Sequence, residues 1–320
     1  LILTVTLNPI IEHRLHLKKV VHGEANRSER LAYYAGGKGI NVSRQLNRLS
    51  IQNLAFTFLG GDHGRRLRAA LTNEKINFTA IPTKAETRFG SVVIEDETGV
   101  VTHYFGEAPS ISEAEAAEFK TKLEKMMQNC EYVVFSGSSP SPACDDIFAY
   151  GLDLASKYDK TSILDTYGRA LELAITHEPT VLHLNRKEAA AWLGKPVANE
   201  EDIIPALNRF RELGVKISVI TDGDAPVYVN HFGFIYKVIP PKVSKIDETG
   251  SGDAFVAGLV YGLYRDEILT DTLKYATACG AANAAMTEVC EVSLEKAGEY
   301  FNLVEVETVG KKLNLMNEMV

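Results

Sequence analysis

Asp247-Glu248-Thr249-Gly250-Ser251-Gly252-Asp253 runs without a break into AFVAGLVYGLY, residues 254 to 264. Phe255, Val256, Leu259, Val260 and Leu263 recur at three- and four-residue spacing, which predicts a helix with a buried face and a glycine-rich first turn. Backbone N–H groups at a helix start lack partners and carry the positive end of the helix dipole, and glycines let an anion approach them. Asp253 in that turn stands where it can take a proton from a hydroxyl attacking the anion. The same residues also suit a plain cap, since Asp in a first turn complements the dipole and glycine before a helix is an ordinary loop residue.

Upstream of this helix the chain alternates two patterns. Short apolar runs, Ile2 to Leu7, Leu54 to Leu59, Tyr132 to Phe135, Ser162 to Leu164, Thr180 to Leu184 and Ile217 to Ile220, read as strands covered on both faces. Between them lie helical spacings such as Leu67, Ala70, Leu71 and Phe119, Leu123, Met126, Met127. The alternation predicts an α/β fold with right-handed crossovers. Two excursions, about 12–34 and 88–106, alternate polar and apolar residues instead and predict a separate small sheet, with a turn at Asp96-Glu97-Thr98-Gly99. A hairpin is expected around His231-Phe232-Gly233, helices from there to about Leu303, and the tail from Val304 to Val320 carries no clear pattern. No internal repeat or low-complexity linker divides residues 1–320, so one domain is expected.

A formal charge of −8 argues against binding nucleic acid through a field of cations. No apolar stretch is long enough for a membrane span, and LILTVTLNPIIEHRL reads as a buried strand rather than a signal peptide, which makes the cytoplasm the expected location. Cys130, Cys144, Cys279 and Cys290 form no C-x-x-C pair and read as free, mostly buried thiols.

A second glycine cluster, Ala35-Gly36-Gly37-Lys38-Gly39-Ile40-Asn41-Val42, precedes a helix with Val42, Leu46 and Leu49 as its buried stripe. Lys38 and Asn41 suit a polyhydroxyl ligand or its phosphate. The P-loop spacing is absent, and no G-x-G-x-x-G stands in a dinucleotide-binding context.

With both clusters in view, the sequence resembles the PfkB (ribokinase-like) carbohydrate kinases. The resemblance rests also on Thr6-Leu7-Asn8-Pro9, Gly60-Gly61-Asp62-His63-Gly64, Glu86-Thr87-Arg88, Ser136-Gly137-Ser138-Ser139-Pro140 and Asn185-x-x-Glu188. Within the family these motifs are similar to the branch of tagatose-6-phosphate kinase and 1-phosphofructokinase. It implies a ribokinase-like α/β fold, a central mostly parallel sheet flanked by helices with a small β-sheet lid that in many members also forms the homodimer contact. It implies transfer of the ATP γ-phosphoryl group to a ketohexose monophosphate, with ATP and Mg²⁺ as cofactors and a monovalent cation as a further candidate. Asp253 would be the base, with the backbone of Gly250, Ser251 and Gly252 stabilising the transferring group. Glu12, Gly36, Gly37 and Asn41 would face the sugar, while Arg88, Lys38, Arg27 and Ser138 would hold the phosphate already on it. Asn185, Thr221, Gly223 and Asn283 would line the ATP site, and Asn185 with Glu188 would organise Mg²⁺ through its waters.

Several positions depart from the family pattern. Glu12 stands where aspartate is usual, and its extra methylene pushes the carboxylate further into the pocket. His183-Leu184-Asn185 replaces lysine-proline-asparagine, where a strand-end histidine without catalytic duty is the expectation. Asp247-Glu248-Thr249 is closer to general ribokinases than to the Asn-Pro-Val of many phosphosugar kinases. Two other readings stay open: a kinase of an unphosphorylated sugar or nucleoside, and a non-catalytic sugar- or nucleotide-sensing protein on the same fold.

Overall fold

The apolar runs form one large sheet in the computed structural model, which describes residues 1–28 and 30–309. From β1 (Ile2–Thr6) the chain leaves for a separate sheet with β2 (Ile10–Leu17) and β3 (Arg30–Gly36), and α1 (Lys38–Arg48) returns it to β4 (Asn53–Gly60). After α2 (Gly61–Asn73) and β5 (Phe78–Thr83) it leaves again for β6 (Arg88–Glu95) and β7 (Val101–Phe105). Alternation then sets in with α3 (Glu113–Met127), β8 (Tyr132–Ser136), α4 (Ile147–Lys157), β9 (Thr161–Asp165) and α5 (Arg169–Ala174). It continues through β10 (Val181–Asn185), α6 (Arg186–Leu193), α7 (Glu200–Glu212) and β11 (Ile217–Thr221). The hairpin of β12 (Val227–His231) and β13 (Phe234–Ile239) precedes α8 (Ser251–Tyr264), α9 (Leu269–Ala284), α10 (Leu294–Phe301) and β14 (Glu305–Val309).

The large sheet runs β14-β13-β12-β11-β10-β9-β8-β1-β4-β5. Neighbours from β5 to β11 are parallel, and β12, β13 and β14 add antiparallel pairings. Successive side chains of a strand point to opposite faces, so the sheet feeds two cores. On one face Leu3, Val5, Phe135 and Leu164 pack with Phe119, Leu123 and Phe148; on the other Ile2, Val134 and Ile163 pack with Val42, Leu46, Phe255 and Leu259. The order places β4 and β5 on one side of β1 and the later strands on the other. Chain order therefore reverses at β1, and in open α/β sheets such a switch point opens a crevice at the carboxyl ends of the strands.

The smaller sheet has the order β3-β2-β6-β7, formed by the two predicted excursions. Ile11 and Ala35 pack it onto Leu67 and Leu71 of α2. Three details differ from expectation. Asp253 to Gly262 are buried on every side of α8 rather than on one stripe, because Gly258 and Gly262 let α9 come close: a Cβ at Gly258 would lie 2.6 Å from the Tyr275 carbonyl oxygen. β5 carries Pro82, which an edge strand tolerates and a central strand does not. Glu305–Val309, within the tail that showed no pattern, pairs antiparallel with β13, while the rest of that tail, residues 310–320, lies outside the described residues. All four cysteines are free and buried, and burial pushes Cys130 up to about 11 and Cys144 and Cys279 to about 12.

Candidate active site

The crevice at the carboxyl ends gathers side chains from strands far apart in sequence. Asn8, just past β1, donates through Nδ2 to Ser138 Oγ just past β8 at 3.1 Å, which closes the switch point. Asp165 ends β9, Asn185 ends β10 and Thr221 ends β11.

Both glycine clusters meet here. Gly37 has φ 119° and a Cβ there would lie 2.9 Å from Thr6 Cγ2, so only glycine turns β3 into α1 against β1. That turn starts the helix at Lys38, whose Nζ lies 3.2 Å from Asp165 Oδ1 and 3.4 Å from Glu188 Oε1. Near the next turn of α1, Asn41 donates Nδ2 to Asp253 Oδ2 at 2.7 Å, and its Oδ1 accepts from Arg44 at 2.7 Å.

The two buried aspartates are set apart by their partners. Burial pushes the Asp253 carboxyl up to about 7, with Lys38 and the Asn41 amide pulling it back and the Asp165 charge adding to the rise. Burial acts on Asp165 in the same sense, but Lys38, His183 and the Ser136 hydroxyl at 2.6 Å hold it below the usual carboxylate range. Burial pulls Lys38 down as well, and the Asp165, Glu188 and Asp253 carboxylates outweigh it, holding the ammonium above the usual lysine range. Asp165 is thus a fixed anion beside Lys38, and Asp253 is a carboxyl that exchanges its proton near neutrality.

Gly250 caps α8 with φ 76°, and a Cβ there would press on Val289 and lie 3.1 Å from Cys290 Sγ. Of the three residues expected to offer N–H groups, Ser251 is engaged: its N–H donates to the Glu248 carbonyl at 3.0 Å, because the loop closes as a turn. The N–H groups of Gly252 and Asp253 have no backbone partner among the described residues, and Gly252 is exposed with only His183 Cε1 within 4 Å of a Cβ position. A group of phosphoryl size can reach them.

Asn283, read as an ATP residue, is buried with both ends of its amide engaged. Nδ2 donates to the Thr249 carbonyl at 2.9 Å and to Ser251 Oγ at 3.0 Å, and Oδ1 accepts from the Cys290 N–H at 2.7 Å. It fastens the glycine-rich loop at the start of α8. Asn283→Ala is accordingly expected to lower kcat roughly 10- to 100-fold through misplacement of the loop, with ATP affinity little changed; direct ATP contact would show instead as a raised Kd in a nucleotide titration.

Asn185 and Glu188 form a reciprocal capping box on α6, each side chain accepting from the other's backbone N–H at 2.9 Å. The cap consumes the Asn185 oxygen and leaves Glu188 Oε1 facing Lys38. Among the described residues no three His, Cys, Asp or Glu side chains stand together as a metal cage. That donor set suits Mg²⁺ held mainly by phosphate oxygens and water, with Glu188 as an outer partner.

His183 is buried and bridges two sites. Asp165 is an acceptor, so His183 Nδ1 donates to it at 3.0 Å, and Nε2 lies 3.1 Å from Thr221 Oγ1. Gly223 follows in an open turn with φ 55°.

Where the sequence reading places the sugar, Glu12, Arg14 and Arg88 share one face of the small sheet. Gly36 lies beneath Glu12, whose Oε1 would be 2.9 Å from a Cβ there. Arg88 Nε and Asn8 Oδ1 are buried without a hydrogen-bond partner among the described residues. Burial lowers the Arg88 pKa, with Tyr167 and Glu12 acting the other way. Arg27 is exposed in the β2–β3 connection, and no hydrogen bond or ion pair among the described residues joins it to this group. Asp165 escaped the sequence reading altogether. The signal was there, an acidic residue ending the parallel-strand run Ile163-Leu164-Asp165, at the end of the sheet where such folds place ligands.

Residues 6–297 match the family model described as pfkB family carbohydrate kinase. A tagatose-6-phosphate kinase of Staphylococcus epidermidis is 30% identical over 309 residues, covering 96% of this chain and 99% of that one. Among solved structures, a possible 1-phosphofructokinase from Thermotoga maritima superposes with a TM-score of 0.89 at 23% identity, over 97% of this chain and 99% of the other. Phosphofructokinase-2 from Escherichia coli in complex with potassium gives 0.88 at 21% identity, over 94% and 98%.

Proposed function

The chain belongs to the pfkB family of carbohydrate kinases, and from that membership we propose that it transfers the γ-phosphoryl group of ATP to a hydroxyl of a ketohexose monophosphate, giving the bisphosphate. The observation that carries this reading is Asp253, a buried carboxyl raised to about 7 in the first turn of α8, beside the free N–H groups of Gly252 and Asp253. The substrate class rests on the tagatose-6-phosphate kinase relative and on Arg88, whose buried Nε awaits an acceptor.

In this reading the sugar lies between Glu12, Gly36, Gly37 and Asn41, with its phosphate on Arg88 and within reach of Ser138. ATP lies along the ends of β10 and β11, near Thr221 and Gly223. The acceptor hydroxyl gives its proton to Asp253 as its oxygen bonds to the γ-phosphorus and the bond to ADP breaks. Negative charge on the transferring group is met by the N–H groups of Gly252 and Asp253 and by Lys38. Lys38, already paired with Asp165 and Glu188, serves the transferring group rather than the sugar phosphate. Mg²⁺, when bound, would supply further charge neutralisation, with Glu188 holding it through its waters. The small sheet acts as a lid carried by a single domain, and exposed Leu31, Tyr33 and Tyr104 on its far side favour contact with a second copy. No helix among the described residues is long and apolar enough to cross a membrane, and a cytoplasmic site of action accords with use of ATP.

The test compares ATP consumption with tagatose 6-phosphate, fructose 1-phosphate and fructose 6-phosphate against the unphosphorylated sugars. Preference for a phosphorylated sugar is the expected result, and Arg88→Gln is expected to raise its KM roughly 10- to 100-fold, the worth of a charge-assisted hydrogen bond, without affecting an unphosphorylated acceptor. Turnover only of an unphosphorylated sugar or nucleoside would leave the role of Asp253 intact and remove that of Arg88.

A further inference from the structure

The loop that builds the anion hole is gripped from the lid. Arg14 of β2 is a buried arginine, its side chain 7% exposed, and its guanidinium reaches out of the small sheet toward residues 247–249. Nη1 lies 3.4 Å from the Thr287 carbonyl oxygen and 3.9 Å from Asp247 Oδ2, and Nη2 lies 3.7 Å from Glu12 Oε2. The group stands over the Tyr34 ring at 5.3 Å. Asp247 is buried too, and its other oxygen, Oδ1, accepts from the Thr249 N–H at 2.9 Å and the Thr249 hydroxyl at 2.6 Å. Thr249 has spent its proton on Asp247, so the lid residue His103 on β7 donates Nε2–H to Thr249 Oγ1 at 3.3 Å. The carbonyl of Thr249 is the one that Asn283 holds.

Asp247 Oδ2 and the carbonyl oxygen of Thr287, an exposed residue, both lie beside this guanidinium, and a buried carboxylate is stabilised by a positive charge next to it. The charge can come from a soluble monovalent cation or from the chain. Here the guanidinium lies within 4 Å of both oxygens, and a second cation between them would meet it at short range in a poorly screened setting. We propose that Arg14 is a positioning residue that delivers this charge from the lid, so that the anion-hole loop is set by lid docking and needs no monovalent cation. The inference rests on the kinase reading for its catalytic consequence. The arrangement ties sugar to phosphoryl chemistry, because Glu12, facing the sugar, shares the same guanidinium.

The experiment compares the parent chain, Arg14→Ala, and the pair Arg14→Met with Asp247→Asn, in potassium and in tetramethylammonium salts at equal ionic strength. Melting temperature and kcat with the phosphorylated ketohexose are read for each. The parent is expected to give the same values in both salts. Arg14→Ala is expected to melt lower in tetramethylammonium and to lose about tenfold or more in kcat, with both deficits relieved by potassium or by low millimolar guanidinium. The pair, lacking the carboxylate, is expected to gain nothing from either cation. If Arg14→Ala does not fold in tetramethylammonium, recovery of folding by either cation counts for the proposal and failure to recover counts against it. A parent chain whose melting or turnover rises specifically in potassium overturns the proposal, as does an Arg14→Ala chain with parental values or a loss that no cation relieves. Melting needs no turnover, so a chain that melts as expected while phosphorylating none of the sugars would refute the kinase reading alone.

Discussion

Asp253→Asn is expected to lose about 10³-fold in kcat while still binding ATP, and to melt at a higher temperature than the parent chain above pH 7. The first effect follows from removing the group proposed to take the hydroxyl proton. The second follows from its raised pKa. Asp253 moves from its ordinary 3.8 to about 7 in the fold, so its neutral form is the one the structure favours. Its contribution to stability is complete below the ordinary value and is lost as pH rises through about 7. An asparagine never ionises, keeps the contact with Asn41, and should hold an advantage at pH 8 that vanishes below about pH 4. In the parent, kcat/KM is expected to fall on the acid side with an apparent pKa near 7 that belongs to the Asp253, Lys38 and Asp165 group together. Thermal melts across pH and a pH–rate profile check both; near-normal turnover in Asp253→Asn would remove it from the base role.

Lys38→Met is the second large effect, and it falls on stability and catalysis together. Without the ammonium, Asp165 and Glu188 lose their shared counter-ion and Asp253 loses the charge that pulls its pKa down. Breaking a buried pair from one side costs about 3 to 5 kcal/mol. The lower end applies, because 30% of the Lys38 side chain still meets solvent. The Asp253 pKa then rises further, so the acid limb of kcat/KM shifts to higher pH. Denaturant melts read the first change and the pH–rate profile the second. An unshifted limb in a folded variant would place Lys38 outside the electrostatics of the base.

The fold was legible where burial is symmetrical. Strands covered on both faces announce themselves as unbroken apolar runs, and Ile2 to Leu7 and Ile217 to Ile220 became β1 and β11. Edge strands mix residue types because one side meets water or nothing, and β5 and β14 were missed for that reason. The small sheet was found through period-two alternation. In the site, the glycine clusters marked the two helix starts, yet sequence spacing gave no sign that Asn41 and Asp253 touch or that Lys38 reaches across to β9. Such contacts depend on strand order, which a local pattern does not carry. The same holds for Asn283, whose polar side chain on an alanine-rich helix gave no hint that its Nδ2 fastens Thr249 and Ser251 while its Oδ1 is held by the Cys290 N–H.

β14 bears on how the protein behaves in concentrated solution. It covers the row of backbone donors and acceptors that β13 would otherwise present, with Val306 against the core and Glu305 and Glu307 outward. A bare sheet edge is a template on which another chain can add a strand. Two glutamates on this outermost strand among the described residues would set like charges against each other if two copies approached along it, which disfavours edge-to-edge pairing there.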